Sequence, residues 1–454
     1  MNWCKRCGVV SLWVVVFWSL TTGSSAGADT WKAGVARVKI TPSEPMWMAG
    51  YASRTKPAEG TYADLWARIL VLEDPAKQRG ALVSLDLIGL DRRLSQTICD
   101  SLKEQFGLRR AEVALCYSHT HSGPVVGKNL EPLHYRLLDE SQQRRVDQYE
   151  QELRKHVSDG MAAAIGNLQP CRLSWGSGTA TFAVNRRNNP AADVEKLRAA
   201  NALKGPFDHD VPVLGVRDED GELVAVAFGY ACHATVLSDY SWCGDYPGYA
   251  AAELESAHEG CTALFWAGCG ADQNPLPRRK LELAQEYGQR LAASVTKVLQ
   301  GKMQPITGSL EVSYREIPLA LDQLPTEEDL REAATSENKY IRARAEMLLE
   351  KIARGEHLDQ TYPYPVGVWK LGDQIDFVFL GGEVVVDFAL RLKAELHGPR
   401  TWVAGYANDV MAYIPSERVL REGGYEGVGA MVYYGLPTGW APGLEQKIVD
   451  AVSR

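Results

Sequence analysis

The tripeptide His119-Thr120-His121 follows an apolar run, Val113-Ala-Leu-Cys-Tyr117, and is closed by Ser122-Gly-Pro124. Two imidazoles therefore stand where a strand gives way to a turn. Residues at i and i+2 of an extended segment point to one face, and neutral imidazole is the commonest protein ligand for a divalent metal, so both rings could reach one ion or one substrate. A hydrogen-bonded pair of loop histidines is the competing reading. Position favours chemistry, because the active sites of α/β proteins collect at the carboxyl ends of strands.

Other apolar runs end in polar clusters as well. The run 80–88 contains Asp86, the run 223–230 leads into Ala231-Cys-His233, the run 263–267 into Gly268-Cys-Gly-Ala-Asp272-Gln-Asn-Pro275, and the run 374–380 into Gly381-Gly-Glu383. Taken together, His119, His233 and Glu383 make a two-imidazole, one-carboxylate set, the type that holds catalytic zinc while leaving a position open. Each has a structural alternative. His233 could be a satisfied core histidine, and Glu383 a helix N-terminal carboxylate favoured by the dipole.

The elements that must position these groups are strands and helices in alternation. Strands are expected at 66–72, 80–88, 112–117, 211–216, 223–230, 263–267 and 374–380, most of them apolar throughout and hence buried on both faces. Helical spacing occupies 94–106, 147–165, 249–258 and 280–299, the third entered just after Pro247 and closed by Gly260. A helical stretch at 326–353 has Thr326 and Asp329 in capping-box spacing and Gly355 as its stop, and its charged faces suggest a solvated helical pair. No repeat, low-complexity tract or long linker divides the chain, so one large α/β domain is expected.

The first residues carry an address. Lys5 and Arg6, the apolar stretch 9–20 and the small-x-small pattern Ala26-Gly27-Ala28 read as a secretory signal peptide, residues 1–28, cleaved near Ala28-Asp29. The apolar stretch is too short for a membrane span, and no other run of about 18 apolar residues follows, so a secreted or periplasmic protein without a transmembrane segment or lipid anchor is expected. The formal charge of −8 becomes more negative once Lys5 and Arg6 leave, and no Lys/Arg run appears, which argues against nucleic acid as a partner. Cys4 and Cys7 leave with the signal. Cys99, Cys116, Cys171, Cys232, Cys243, Cys261 and Cys269 remain, too sparse for a disulfide scaffold, with room for a Cys261–Cys269 or Cys232–Cys243 pair and at least one thiol over.

In order and spacing, these segments resemble the neutral/alkaline non-lysosomal ceramidase family, specifically its N-terminal catalytic domain. The resemblance begins at Ala33-Gly-Val-Ala-Arg-Val-Lys-Ile-Thr-Pro42 and continues through Gly50-Tyr51, Asp86, His119-Thr-His-Ser-Gly-Pro124, Asn185-Arg186, Cys232-His233 and Gly382-Glu383. It ends with Ala407-Asn-Asp-Val-Met-Ala-Tyr413 and Gly424-Tyr-Glu-Gly427. It implies an α/β layered sandwich of mixed β-sheets covered by α-helices, and one Zn2+ bound by His119, His233, Glu383 and Tyr413. On its own evidence Tyr413 reads as a packing tyrosine, so its role rests on the resemblance. His121 would orient substrate or stabilise charge, and Arg186 and Tyr425 match positions that contact the scissile amide or its oxyanion. Asp272 is expected to orient a ligand histidine through an outer hydrogen bond.

Two departures stand out. The family's G-D-V-S-P segment, whose serine has been proposed as nucleophile, corresponds here to Ala271-Asp-Gln-Asn-Pro275, and Asn274 cannot accept an acyl group. The chain also stops soon after Trp440-Ala-Pro-Gly-Leu444, so residues 29–454 are expected to form a catalytic domain without the family's C-terminal immunoglobulin-like domain. The resulting expectation is a zinc-dependent amidohydrolase that uses a zinc-activated water to cleave the N-acyl amide of ceramide or a related compound, with a small or lipid-like partner and no oligomeric state implied. A metal-dependent ester or phosphoester hydrolase is the first alternative, although the chain lacks a GNH[DE] segment. A non-catalytic lipid- or carbohydrate-binding descendant is the second.

Overall fold

The computed structural model describes residues 1, 3, 8 and 30–453. The expected signal peptide lies outside the described residues apart from Met1, Trp3 and Gly8. A nine-stranded sheet runs in the order Thr262–Ala267, Leu223–Tyr230, Asp210–Arg217, Gln169–Thr179, Trp31–Lys39, Trp66–Glu73, Arg79–Leu85 and Val113–Tyr117, with Gln304–Ile306 paired to Gln169–Thr179. Its two terminal pairs are parallel and its interior pairs antiparallel. A second sheet of four strands, Leu310–Ala320, Thr361–Leu371, Ile375–Leu380 and Thr401–Ala404, ends in a parallel pair.

Side chains alternate across these strands, and the alternation shows why so many read as apolar throughout. In Trp66–Glu73, Ala67, Ile69 and Val71 face a helical layer, whereas Leu70 and Leu72 face the second sheet. In Ile375–Leu380, Phe377 and Phe379 meet the first sheet while Val378 and Leu380 face the opposite way. Helices Arg92–Phe106, Glu140–Gly166, Asp245–Ala257 and Leu281–Gln300 cover the outer face of the large sheet. Val386–Glu395 and Leu444–Val452 cover that of the small one. The result is the layered α/β sandwich expected from the sequence, in the order helix, sheet, sheet, helix.

Several boundaries differ for identifiable reasons. The third expected helix begins at Asp245 rather than after Pro247, because a proline in the first turn lacks an N–H that would have had no partner there. The 147–165 helix starts at Glu140, where the Asp139 carboxylate accepts from the Gln142 amide and caps a polar first turn. The 326–353 stretch is two helices, Glu327–Ala333 and Lys339–Ala353. The Thr326/Asp329 capping box forms at the first, and Asn338 caps the second. Strands Gln169–Thr179, Leu310–Ala320 and Thr361–Leu371 escaped notice because they mix prolines with half-exposed polar residues. All seven cysteines from Cys99 to Cys269 are buried free thiols, so neither the Cys261–Cys269 nor the Cys232–Cys243 pair forms. Among the described residues no helix is long and apolar enough to cross a membrane.

The two sheets are tied together at their carboxyl ends. The Asn408 amide donates to the Leu115 carbonyl at 2.7 Å, and the Gly405 amide to that of Ala267 at 3.0 Å, so loops leaving one sheet dock onto strand ends of the other. Between the sheets, Trp266 stacks on Trp402 at 5.6 Å and packs against Phe377 at 4.6 Å. Trp266→Ala is expected to destabilise the fold by about 3–5 kcal/mol, read as a lower denaturant midpoint in equilibrium unfolding.

Candidate metal centre

Four loops meet where the carboxyl ends of the parallel strand pairs converge. His119 and His121 follow Val113–Tyr117, and His233 follows Leu223–Tyr230; Glu383 follows Ile375–Leu380, and Tyr413 lies downstream of Thr401–Ala404. Glu383–Val384 and Tyr413–Ile414 pair in parallel with Glu383 directly opposite Tyr413, so their side chains leave the ladder on one face. His119 has a φ of 56°, a left-handed conformation that histidine enters more readily than most side chains, and it abuts Tyr406 at a ring separation of 4.3 Å. Strained backbone of this kind persists where the surroundings over-determine it.

The donor atoms converge. His119 Nε2 lies 3.2 Å from His121 Nε2 and 3.3 Å from Glu383 Oε2, while His233 Nε2 lies 3.0 Å from the same carboxylate oxygen. The ligand atoms of His119, His121 and His233 all lie within 4.8 Å of one another. The Tyr413 hydroxyl stands 3.5 Å from His233 Nε2, and the Tyr434 hydroxyl donates to Glu383 Oε1. His119 Nδ1 faces the Ile88 carbonyl at 2.6 Å, and His233 Nδ1 faces that of Gly270 at 2.8 Å. A backbone carbonyl can only accept, so both Nδ1 atoms carry the proton and both Nε2 lone pairs point into the shared space. Metal-ligating histidines are oriented in this way. His121 differs, because its Nδ1 is buried without a partner.

Burial and mutual charge set the protonation states. Burial opposes the Glu383 anion, yet the facing His119 and His233 rings outweigh it and hold the carboxyl well below its usual range. Burial pushes His121 well below its usual value, with His119 and His233 adding to the effect. Burial, reinforced by the Arg186 charge, takes His233 down to about 4. Neutral imidazoles at His121 and His233 beside an ionised Glu383 carboxylate are protonation states that suit a divalent cation. The donor chemistry suits zinc, which takes nitrogen and carboxylate oxygen in four-coordinate sites.

The remaining predicted residues distribute around this cluster. Arg186 is drawn in by its Nε bond to Glu426 at 2.7 Å and donates through Nη2 to the Tyr413 hydroxyl at 3.1 Å. Tyr425 is half exposed at the rim and meets Tyr413 edge-on at 5.3 Å. Asp272 departs from expectation, since its carboxylate accepts from Asn185 Nδ2 and from the Val386 amide and touches no histidine. The Gly270 carbonyl already satisfies the His233 nitrogen that Asp272 was expected to orient, so the aspartate instead ties the loop to the start of helix Val386–Glu395. Asp86 pairs with buried Arg68 and holds the sheet rather than the centre. Asn274 is buried, its Oδ1 3.5 Å from Arg186 Nη1.

Sequence reasoning missed Tyr434, Tyr406 and Glu426. The tyrosines carry no local signal because a phenol usually packs, whereas Glu426 lies inside a recognised segment and could have been paired with Asn185-Arg186. It also missed the backing of His121. Gly50 has a φ of 98°, and a Cβ there would sit 2.4 Å from His121 Nδ1, so only glycine lets this backbone pass behind the ring. The Gly50 amide donates to His134 Nε2 at 3.1 Å, and burial lowers His134 to about 3.

The sequence profile described as neutral/alkaline non-lysosomal ceramidase, N-terminal, matches residues 31–305. The chain belongs to that family. The neutral ceramidases of Drosophila pseudoobscura pseudoobscura and Drosophila melanogaster are each 28% identical to it over 238 residues, which is 50% of this chain and 32% of theirs. The chain thus spans about a third of the length of these relatives. The crystal structure of neutral ceramidase from Pseudomonas aeruginosa superposes with a TM-score of 0.68 at 21% identity, covering 93% of this chain and 74% of that one. The fold is therefore shared.

The purified chain is expected to bind one equivalent of Zn2+ by elemental analysis. His119→Ala and His233→Ala should each weaken binding by more than the roughly 10–100-fold that loss of an outer partner costs. A second expectation concerns proton linkage at His134. An unfolded histidine titrates near 6.5, so the unfolded chain takes up a proton that folded His134 refuses until about pH 3. Its share of stability is present above about pH 6.5 and is lost as pH falls toward 3. His134→Gln, which keeps an acceptor for Gly50, should flatten the unfolding free energy across that window relative to wild type.

Proposed function

We propose that this chain is a secreted, zinc-dependent amidohydrolase that cleaves the N-acyl amide bond of ceramide or a related N-acyl compound, with residues 29–454 as its catalytic unit. One observation carries the reading: His119 Nε2 and His233 Nε2 face one Glu383 oxygen at 3.3 and 3.0 Å, and each ring's outer nitrogen is fixed by a backbone carbonyl. His119, His233 and Glu383, with the Tyr413 hydroxyl at their edge, would hold the zinc. When bound, the ion supplies Lewis acidity toward a carbonyl and lowers the pKa of water to about 7.

The other residues do work that the ion does not. His121 lacks the outer carbonyl that fixes its two neighbours, and its ring, held neutral by burial, would orient the substrate beside them. Arg186, held by Glu426, keeps the Tyr413 hydroxyl in place and presents positive charge where an amide oxygen would become negative. Tyr425 forms one wall of the entrance. Asn274 occupies the position of the family's proposed serine, and its amide can orient a substrate through a hydrogen bond.

Incubating the zinc-loaded protein with N-acyl sphingosine and simpler N-acyl amines, with release of fatty acid measured, tests the proposal. Hydrolysis is expected. Asn274→Ala should lower kcat/KM only by the several-fold that corresponds to one hydrogen bond of about 0.5–1.5 kcal/mol. A wild-type protein that binds zinc but cleaves no amide, together with activity gained in Asn274→Ser, would instead assign catalysis to a missing hydroxyl.

A further inference from the structure

The entrance beside the centre is a pocket of about 590 Å³ whose lining includes Arg186, Arg187, Asn274, Arg278, Tyr425 and Glu426. Its charges are not balanced. Arg186 and Arg187 are engaged by Glu426, and Arg187 also by Glu422, which completes the acidic lining. Arg278 is different: it donates to the Thr235 hydroxyl at 3.2 Å and, among the described residues, meets no carboxylate at ion-pair distance. Its neighbour Arg279 donates through its guanidinium to the Tyr51 hydroxyl and to the carbonyls of Thr235 and Leu237, and among the described residues it meets no carboxylate at ion-pair distance. Arg279 also lies 4.9 Å over the Tyr51 ring, whose other close cation is Arg54 at 4.9 Å, and that ring packs on His121 at 4.7 Å. Guanidinium charge without a carboxylate at ion-pair distance thus stands beside the centre in a chain whose formal charge is −8.

A half-buried guanidinium with one hydroxyl partner keeps most of its five donors unused, in a planar fork that matches carboxylate and phosphate oxygens. Low-dielectric walls around like charge focus the field toward an incoming anion. Resting on the amidohydrolase reading above, we infer that the substrate is an N-acyl compound bearing an anion close to the scissile amide, and that Arg278 is the residue that selects it. A carboxylate of an acylated amino acid and a phosphate ester of an acylated amino alcohol share the required chemistry. A neutral head group would leave Arg278 unanswered.

The test compares three substrates with one acyl chain: N-lauroylglycine, N-lauroylethanolamine phosphate and the neutral N-lauroylethanolamine. At least one anionic substrate is expected to exceed the neutral one in kcat/KM by about tenfold or more, with the advantage shrinking as salt rises. Arg278→Ala should abolish that ratio mainly through KM, and Arg278→Lys should restore part of it. The choice between the two anionic substrates identifies which anion is read. Equal or better turnover of the neutral substrate, or an anionic preference that survives in Arg278→Ala, overturns the inference while leaving amide hydrolysis standing. Binding is read independently with millimolar inorganic sulfate, which should raise the thermal midpoint of wild type more than that of Arg278→Ala. If no amide is cleaved but the sulfate difference is present, the anion subsite stands and the reaction assigned to it falls. Equal sulfate shifts in both proteins count against the subsite.

Discussion

A carboxylate buried to 4% exposure is the constraint around which this molecule is organised. An anion withdrawn from water is tolerated only if surrounding groups answer it. Tyr434 donates to Glu383, and the His119 and His233 rings face its other oxygen across the space a cation would fill, three groups from separate parts of the chain. Assembling these groups around one side chain therefore requires loops of the large sheet, the end of the small sheet and the short helix Met431–Tyr434 to arrive together. The inter-sheet hydrogen bonds at Leu115 and Ala267 and the aromatic packing of Trp266 between the layers hold that junction in register.

Much of this was legible beforehand, and the legible parts share a physical cause. Strands such as Trp66–Glu73 and Leu223–Tyr230 are buried on both faces, so composition alone marks them, and chemistry placed at their carboxyl ends can be found by looking just beyond the apolar run. His119, His233 and Glu383, which the structure brings together, are all read in that way. Tyr413 is not, because its strand is two residues long and nothing around it signals a ladder. It came from the resemblance alone. Asp272 shows the opposite failure: it lies just past a strand end like the histidines, yet its carboxylate serves a loop and a helix start. Proximity to a strand terminus indicates where chemistry collects without saying which polar residue is chemical.

The distinction between His121 and its neighbours rests on what lies behind each ring. His119 and His233 have carbonyls at Nδ1, whereas His121 has the flat backbone of Gly50 and the face of Tyr51. A sequence lists three equivalent imidazoles, and only the packing makes them unequal. The same holds for the arginines of the entrance. Arg186 and Arg187 have carboxylate partners more than 200 residues away in sequence, and Arg278 has none among the described residues.

The position of Glu383 also bears on how the chain matures. His119 and His233 belong to the large sheet, but their carboxylate lies some 150 positions after His233 and is placed only when the small sheet docks. A partly folded polypeptide can collect its first layers without owning a complete donor set. Contacts so distant along the chain form late and slowly. A cation held by these three side chains would be captured only once the tertiary structure is complete, and its presence would certify that both sheets have met.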